Sequence, residues 1–90
     1  MNDLIGKLAI SSTGKDKGCI YLIYSTGINF VNLVDGNVRR IKNPKKKNLK
    51  HITILNAKSD IISKKIIENV KVFDSEIFSF IKNYKTAWNL

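Results

Sequence analysis

The hydrophobic period of this 90-residue chain changes once, near Ser59, and the change limits what each part can fold into. Before it, short β-branched and aromatic runs alternate with turn residues, the pattern of strands. Residues 4–10, 19–24, 29–34, 38–41 and 51–55 read as five strands. Gly14 and Gly18 mark the first connection and Ser25-Thr26-Gly27 the second. Asp35-Gly36 signals a hairpin between the third and fourth strands. Asn43-Pro44 ends the fourth, and residues 45–50 form a charged loop before the fifth. After Ser59 the period is helical. Asp60 is placed to cap a helix running to about Asn69, with Ile62, Ile66, Ile67 and Val70 on its apolar face. Asp74 is placed to cap a second helix, with Glu76 favourable in its first turn. Ile77, Phe80, Ile81, Tyr84 and Trp88 form that helix's stripe, with Ile77, Ile81, Tyr84 and Trp88 expected to be largely buried.

Five short strands in about 55 residues are too few for a sandwich and suit a small, strongly bent barrel that buries one face. Two short α-helices would then cover an open end or edge. The expected class is mostly β with C-terminal helices: a barrel in residues 1–58 and a helical extension in residues 59–90. Hydrophobic residues at 43% and charged residues at 26% give a globular balance. No apolar run approaches the roughly 18 residues of a membrane span. Residues 1–7 lack the basic-then-apolar pattern of a secretory signal. One cysteine, Cys19, staples nothing internally, and one His with one Cys makes no zinc set. A cytoplasmic protein without metal or cofactor is the expectation.

Charge is the first functional clue. The net charge is +9, and it is uneven. Residues 1–58 hold eleven basic and three acidic side chains; residues 59–90 hold five and four. A basic front of this kind attracts polyanions. The chain has fourteen Lys, fourteen Ile and ten Asn but two Arg, the usage of AT-rich codons, so lysine preference by itself carries no functional information. Arg39 and Arg40 stand out for the same reason.

Two blocks carry a family resemblance. Residues 6–18 run Gly-Lys-Leu-Ala-Ile-Ser-Ser-Thr-Gly-Lys-Asp-Lys-Gly, and residues 35–52 begin Asp-Gly-Asn-Val-Arg-Arg-Ile-Lys-Asn-Pro-Lys-Lys-Lys. The block at 6–18 resembles the KOW motif, a strand, a Gly-Lys-Asp-Lys-Gly type loop and a further strand. The block at 35–52 is similar to the corresponding part of small bacterial KOW-domain proteins, which themselves resemble archaeal and eukaryotic large-subunit ribosomal proteins. The match departs at Ile20-Tyr21, where the family has a further glycine. The resemblance implies a five-stranded SH3-like barrel and RNA binding at the ribosome, with ribosomal RNA and ribosomal proteins as partners.

The candidate RNA-binding residues are Lys15, Lys17, Arg39, Arg40, Lys42, Lys45, Lys46, Lys47, Lys50 and His51. Residues 39–50 hold seven basic side chains in twelve and no acid, a solvated loop or a phosphate track. Lys45-Lys46-Lys47 can supply point charges along a backbone. Arg39 and Arg40 would point to opposite faces of a strand, where one can bind phosphate or stack on a base. Lys15 and Lys17 flank Asp16, as a surface turn or a phosphate clamp. These two basic segments are expected on one side of the barrel. His51 reads as a strand-entry residue bonded to backbone. Tyr21, Tyr24 and Phe30 can stack on bases, with core packing expected for at least two. Cys19 reads as a small buried or half-buried side chain.

Nothing points to an enzyme. There is no paired-carboxylate pattern, no Gly-rich loop entering a helix and no nucleophile with a visible base. The expectation is a non-catalytic RNA-binding protein. The competing reading is a protein-interaction module of the transcription or translation machinery. Polybasic membrane attachment lacks an apolar anchor beside residues 45–50.

Overall fold

A computed structural model describes residues 2–90. Among them are strands β1 (Lys7–Ser11), β2 (Ile20–Thr26), β3 (Phe30–Val34), β4 (Lys45–Asn48) and β5 (Ile52–Lys58), and helices α1 (Asp60–Ile67) and α2 (Asp74–Ala87). Short 3-10 turns span Asn2–Leu4 and Leu49–His51. The strands make one antiparallel sheet in the order β4-β3-β2-β1-β5, a meander whose last strand returns to pair with the first. No described helix is long and apolar enough to cross a membrane.

β2 is central, and its sequence shows why. Ile20, Tyr21, Leu22 and Ile23 are all buried, because both faces of this strand are covered. On one face the cross-strand row Leu8, Leu22 and Val34 packs with Ile20 beneath Ile62, Val72, Ile77 and Ile81 of the helical segment. On the other, Ala9, Tyr21, Ile23, Val31 and Leu33 pack together, with Leu4, Leu49 and Ile52 closing over them. Register shifts after Lys7 and after Ile23 interrupt the ladders and bend the sheet. The helices therefore cover a face of the sheet rather than an open end or edge, and the strands bury two faces rather than one.

The fourth strand lies elsewhere than the sequence suggests. Residues 38–41 are loop, and the lysine run expected as loop forms β4 and the 3-10 turn after it. Hydrogen-bond diversion explains the first change. The Asp35 carboxylate accepts the Asn37 and Arg39 N–H groups at 2.9 and 2.8 Å, and Asp74 of α2 accepts the Ile41 N–H at 2.8 Å. Those donors are lost to any ladder. Arg39 and Arg40 consequently do not face opposite sides of a strand. β3 still needs a partner on its outer side, and residues 45–48 supply it in the register Phe30 with Asn48 through Leu33 with Lys45.

The helices also differ in detail. Ser59, not Asp60, caps α1, its Oγ accepting the Ile62 N–H at 3.1 Å. α1 stops at Ile67, and Asn69 takes the left-handed φ of 59° that ends a helix. Asp74 is the first residue of α2; the Phe73 N–H in front of it is taken by Glu76 at 2.9 Å. Of the apolar stripes, Ile62, Ile77 and Ile81 are buried and Ile66, Phe80 and Tyr84 half-buried, but Ile67, Val70 and Trp88 are exposed. Trp88 is 66% exposed and stacks only loosely on Tyr84, because the stripe outruns the surface it packs on.

Burying a large apolar side chain contributes about 1.5–3 kcal/mol as an upper bound. Ile77→Ala, at a fully buried position, is expected to lower stability by about 2–5 kcal/mol. Trp88→Ala is expected to cost less than about 1 kcal/mol. Urea unfolding of the two variants checks the contrast.

Candidate functional site

The β1–β2 connection is built around one carboxylate. Gly14 and Gly18 take φ values of 85° and 92°, which let residues 12–19 double back. The turn is closed by Gly18 N–H to the Ser11 carbonyl at 2.8 Å and Cys19 N–H to the Asp16 carbonyl at 2.9 Å. Inside it, Asp16 accepts hydrogen bonds from Ser11 Oγ and Tyr21 Oη, both at 2.9 Å. From the far edge of the sheet, Lys47 Nζ donates to Asp16 Oδ1 at 2.7 Å and to the Thr13 carbonyl at 2.8 Å. Lys45 Nζ lies 3.3 Å from Asp16 Oδ2.

Burial alone would raise the pKa of Asp16. The hydrogen bonds from Lys47, Ser11, Tyr21 and Lys45 outweigh it and hold the carboxyl well below the usual carboxylate range. Burial, and then the adjacent Asp16 charge, push the Tyr21 phenol above its ordinary value, so it stays a donor.

The two basic segments singled out in the sequence are thus brought together, with Asp16 between them. Their lysines do not share one role. Alternation along β4 sends Lys45 and Lys47 toward Asp16, with side chains 28% and 10% exposed, so Lys47 is an internal tie rather than a free point charge. Lys46 lies on the other face, its ammonium 4.2 Å from the Phe30 ring centroid. Lys15 and Lys17 flank Asp16, and both are exposed, as are Lys42 and Lys50. Arg40 is exposed and donates from Nε to the Asn37 carbonyl at 3.2 Å; Arg39 is half-buried. His51 is half-buried, and its carbonyl accepts the Ser12 N–H at 2.9 Å.

Ile41 is tied to α2 through its N–H to Asp74 at 2.8 Å, and Arg40 lies near the start of the same helix. A cavity of about 330 Å³ is lined by Cys19, Ile20, Asp35, Asn37, Phe78 and Ile81 with Lys82 and Lys85. Cys19 is exposed rather than buried. Tyr21 is in the core, and Tyr24 packs against the helix-covered cluster. The residue that the sequence alone does not single out is Asp16. A signal for it exists: it is the lone acid between Asp3 and Asp35, with a hydroxyl five residues away on either side at Ser11 and Tyr21. No protein-family model matches the chain, and no curated protein matches it.

Asp16→Asn removes the counter-charge of a mostly buried ammonium and is expected to destabilise by about 2–3 kcal/mol at neutral pH. The folded state depresses the Asp16 pKa below its unfolded value of 3.8, so its contribution is complete above that value and fades as pH falls through and below it. Urea unfolding at neutral and acid pH should show the gap between wild type and Asp16→Asn narrowing toward pH ~2.

Proposed function

We propose that the chain is a non-catalytic RNA-binding protein with an SH3-like barrel of the KOW kind, docking on structured RNA, and on ribosomal RNA in particular. The strand order supports the architecture: a four-strand meander, a 3-10 turn, and a fifth strand returning to the first. The resemblance of residues 6–18 and 35–52 to KOW-domain proteins supports the ligand.

The observation that carries the reading is electrostatic. Residues 17–34 and 36–59 contain no Asp or Glu, and Asp16, the acid nearest the basic cluster, is neutralised internally by Lys45 and Lys47. Among the described residues, Lys15, Lys17, Arg40, Lys42, Lys46 and Lys50 then have no salt-bridge partner. Such a surface binds phosphates and releases their counterions, so affinity falls steeply with salt. In this reading Arg39, Lys45, Lys47 and His51 shape the surface more than they touch RNA. A second reading, a protein-interaction module of the transcription or translation machinery, has its own support in the exposed Val38, Phe73, Phe78 and Trp88.

Ribosome co-sedimentation across a salt series, set against protein pull-down after nuclease treatment, separates the two. Replacing Lys15, Lys17, Lys42 and Lys50 together by Gln is expected to leave stability nearly unchanged, since exposed charges contribute little. It should flatten the slope of log affinity against log salt by about 3, at roughly 0.7–0.9 per lost phosphate contact. An unchanged slope would overturn the RNA reading and favour the second.

A further inference from the structure

The face of the sheet that lies under the helices does not end with them. Beyond the covered row of Leu8, Leu22 and Val34, the same face continues through Asn32 and Phe30 of β3, opposite Lys46 and Asn48 of β4, with Ser25 of β2 opposite Asn32. None of these five belongs to either buried cluster. Phe30, half-buried like Asn32 and Ser25, is the aromatic ring of this quadrant, and Lys46 and Asn48 beside it are exposed. Phe30 packs on Gly27, where any Cβ would collide with the ring carbons Cε1 and Cζ. The Lys46 ammonium lies over its face, 4.2 Å from the centroid. Lys46 is exposed, so what covers that face is a solvated cation on a flexible stem.

We propose that this quadrant is a stacking site for an unpaired base of RNA. The base takes the place of the ammonium on the Phe30 ring, and Lys46 moves to the flanking phosphate. Stacking on an aromatic ring suits any base, and an adjacent cation suits the backbone that carries it. Two amides stand beside the ring. Asn32 gives one N–H to Ser25 Oγ at 2.8 Å and retains a second, and Asn48 accepts the Lys50 N–H through Oδ1, leaving its NH2 group as a donor to a base edge. At the tip of the β2–β3 turn, Ile28 is 88% exposed and offers an apolar flank. The positive charge of Lys46 suits an anion, and the Phe30 π-face, on which a base stacks and a carboxylate does not, selects a nucleic acid over an acidic protein. The absence of Asp and Glu from β2, β3, β4 and the turns at 27–29 and 49–51 leaves nothing to repel phosphate.

This inference rests on the RNA-binding reading and deepens it. Phosphate contacts alone do not require an unpaired base, whereas a base on Phe30 must come from outside a duplex. The test is titration of the full chain with a single-stranded oligoadenylate of about ten nucleotides and with a fully paired RNA duplex of equal phosphate number. Phe30→Leu, which keeps apolar volume and loses the π-face, is expected to weaken oligoadenylate binding about 5–10-fold and leave duplex binding within about twofold. Lys46→Gln is expected to flatten the salt slope for the oligoadenylate by about 0.7. In the unmodified protein, the Phe30 ring protons should shift upfield with oligoadenylate and not with inorganic polyphosphate. Ring protons that do not move, or a Phe30→Leu variant that loses both RNAs equally or neither, would overturn the stacking site while leaving salt-dependent RNA binding standing. Failure of the unmodified protein to bind either RNA would overturn both.

Discussion

The Asp16 carboxylate is the point on which the basic half of the molecule depends. It gathers a hydroxyl from β1, a phenol from β2 and two ammonium groups from β4 into one cluster. These elements are not all neighbours in the ladder: β3 separates β4 from β2. Only because residues 12–19 fold over the sheet can one acid reach all of them. Without it, Lys45 and Lys47 would add to a field already dense in cations, and of the two hydrogen bonds that tie Lys47 to the loop carrying Lys15 and Lys17 only the one to the Thr13 carbonyl would remain. The acid thus makes the crowding of positive charge tolerable and fixes which lysines remain outside.

A further constraint is that one small sheet has to serve two cores. β2 alternates Ile20 and Leu22 toward the helices with Tyr21 and Ile23 toward the opposite cluster. Tyr21 joins the two constraints, since its ring fills the core while its hydroxyl anchors Asp16. The glycine that the resembled pattern would place near Ile20 and Tyr21 could do neither. The helices share the core of residues 8, 20, 22 and 34, so the C-terminal segment is packed into the sheet's stability and not merely appended to it.

Strands whose evidence is local were legible in the sequence. β2 and β3 are apolar, β-branched runs bounded by turn residues, and both form where expected. The switch to helix near Ser59 is equally local. β4 was not legible, because nothing in Lys-Lys-Lys-Asn favours a strand. It is recruited by the unpaired side of β3, while the better candidate at 38–41 gives its donors to Asp35 and to Asp74, the latter 33 residues away from Ile41. At the site, the types of residue were readable but not their division of labour. Lys45, Lys46 and Lys47 look equivalent in one dimension, and only pairing with β3 assigns alternate lysines to opposite faces.

β4 is also the outermost strand on its side of the sheet, and the composition that hid it has a consequence for how the protein behaves in company. An outer strand carries unpaired backbone groups that invite a second molecule to extend the sheet. Two copies meeting along β4 would set Lys45, Lys46 and Lys47 of one against the same three of the other, and like charges across a ladder repel. Part of that protection is already committed to Asp16, and a polyanion occupying the remaining lysines would remove the rest. The lysines of β4 therefore guard this edge by repulsion, and a polyanion bound along them would weaken that guard.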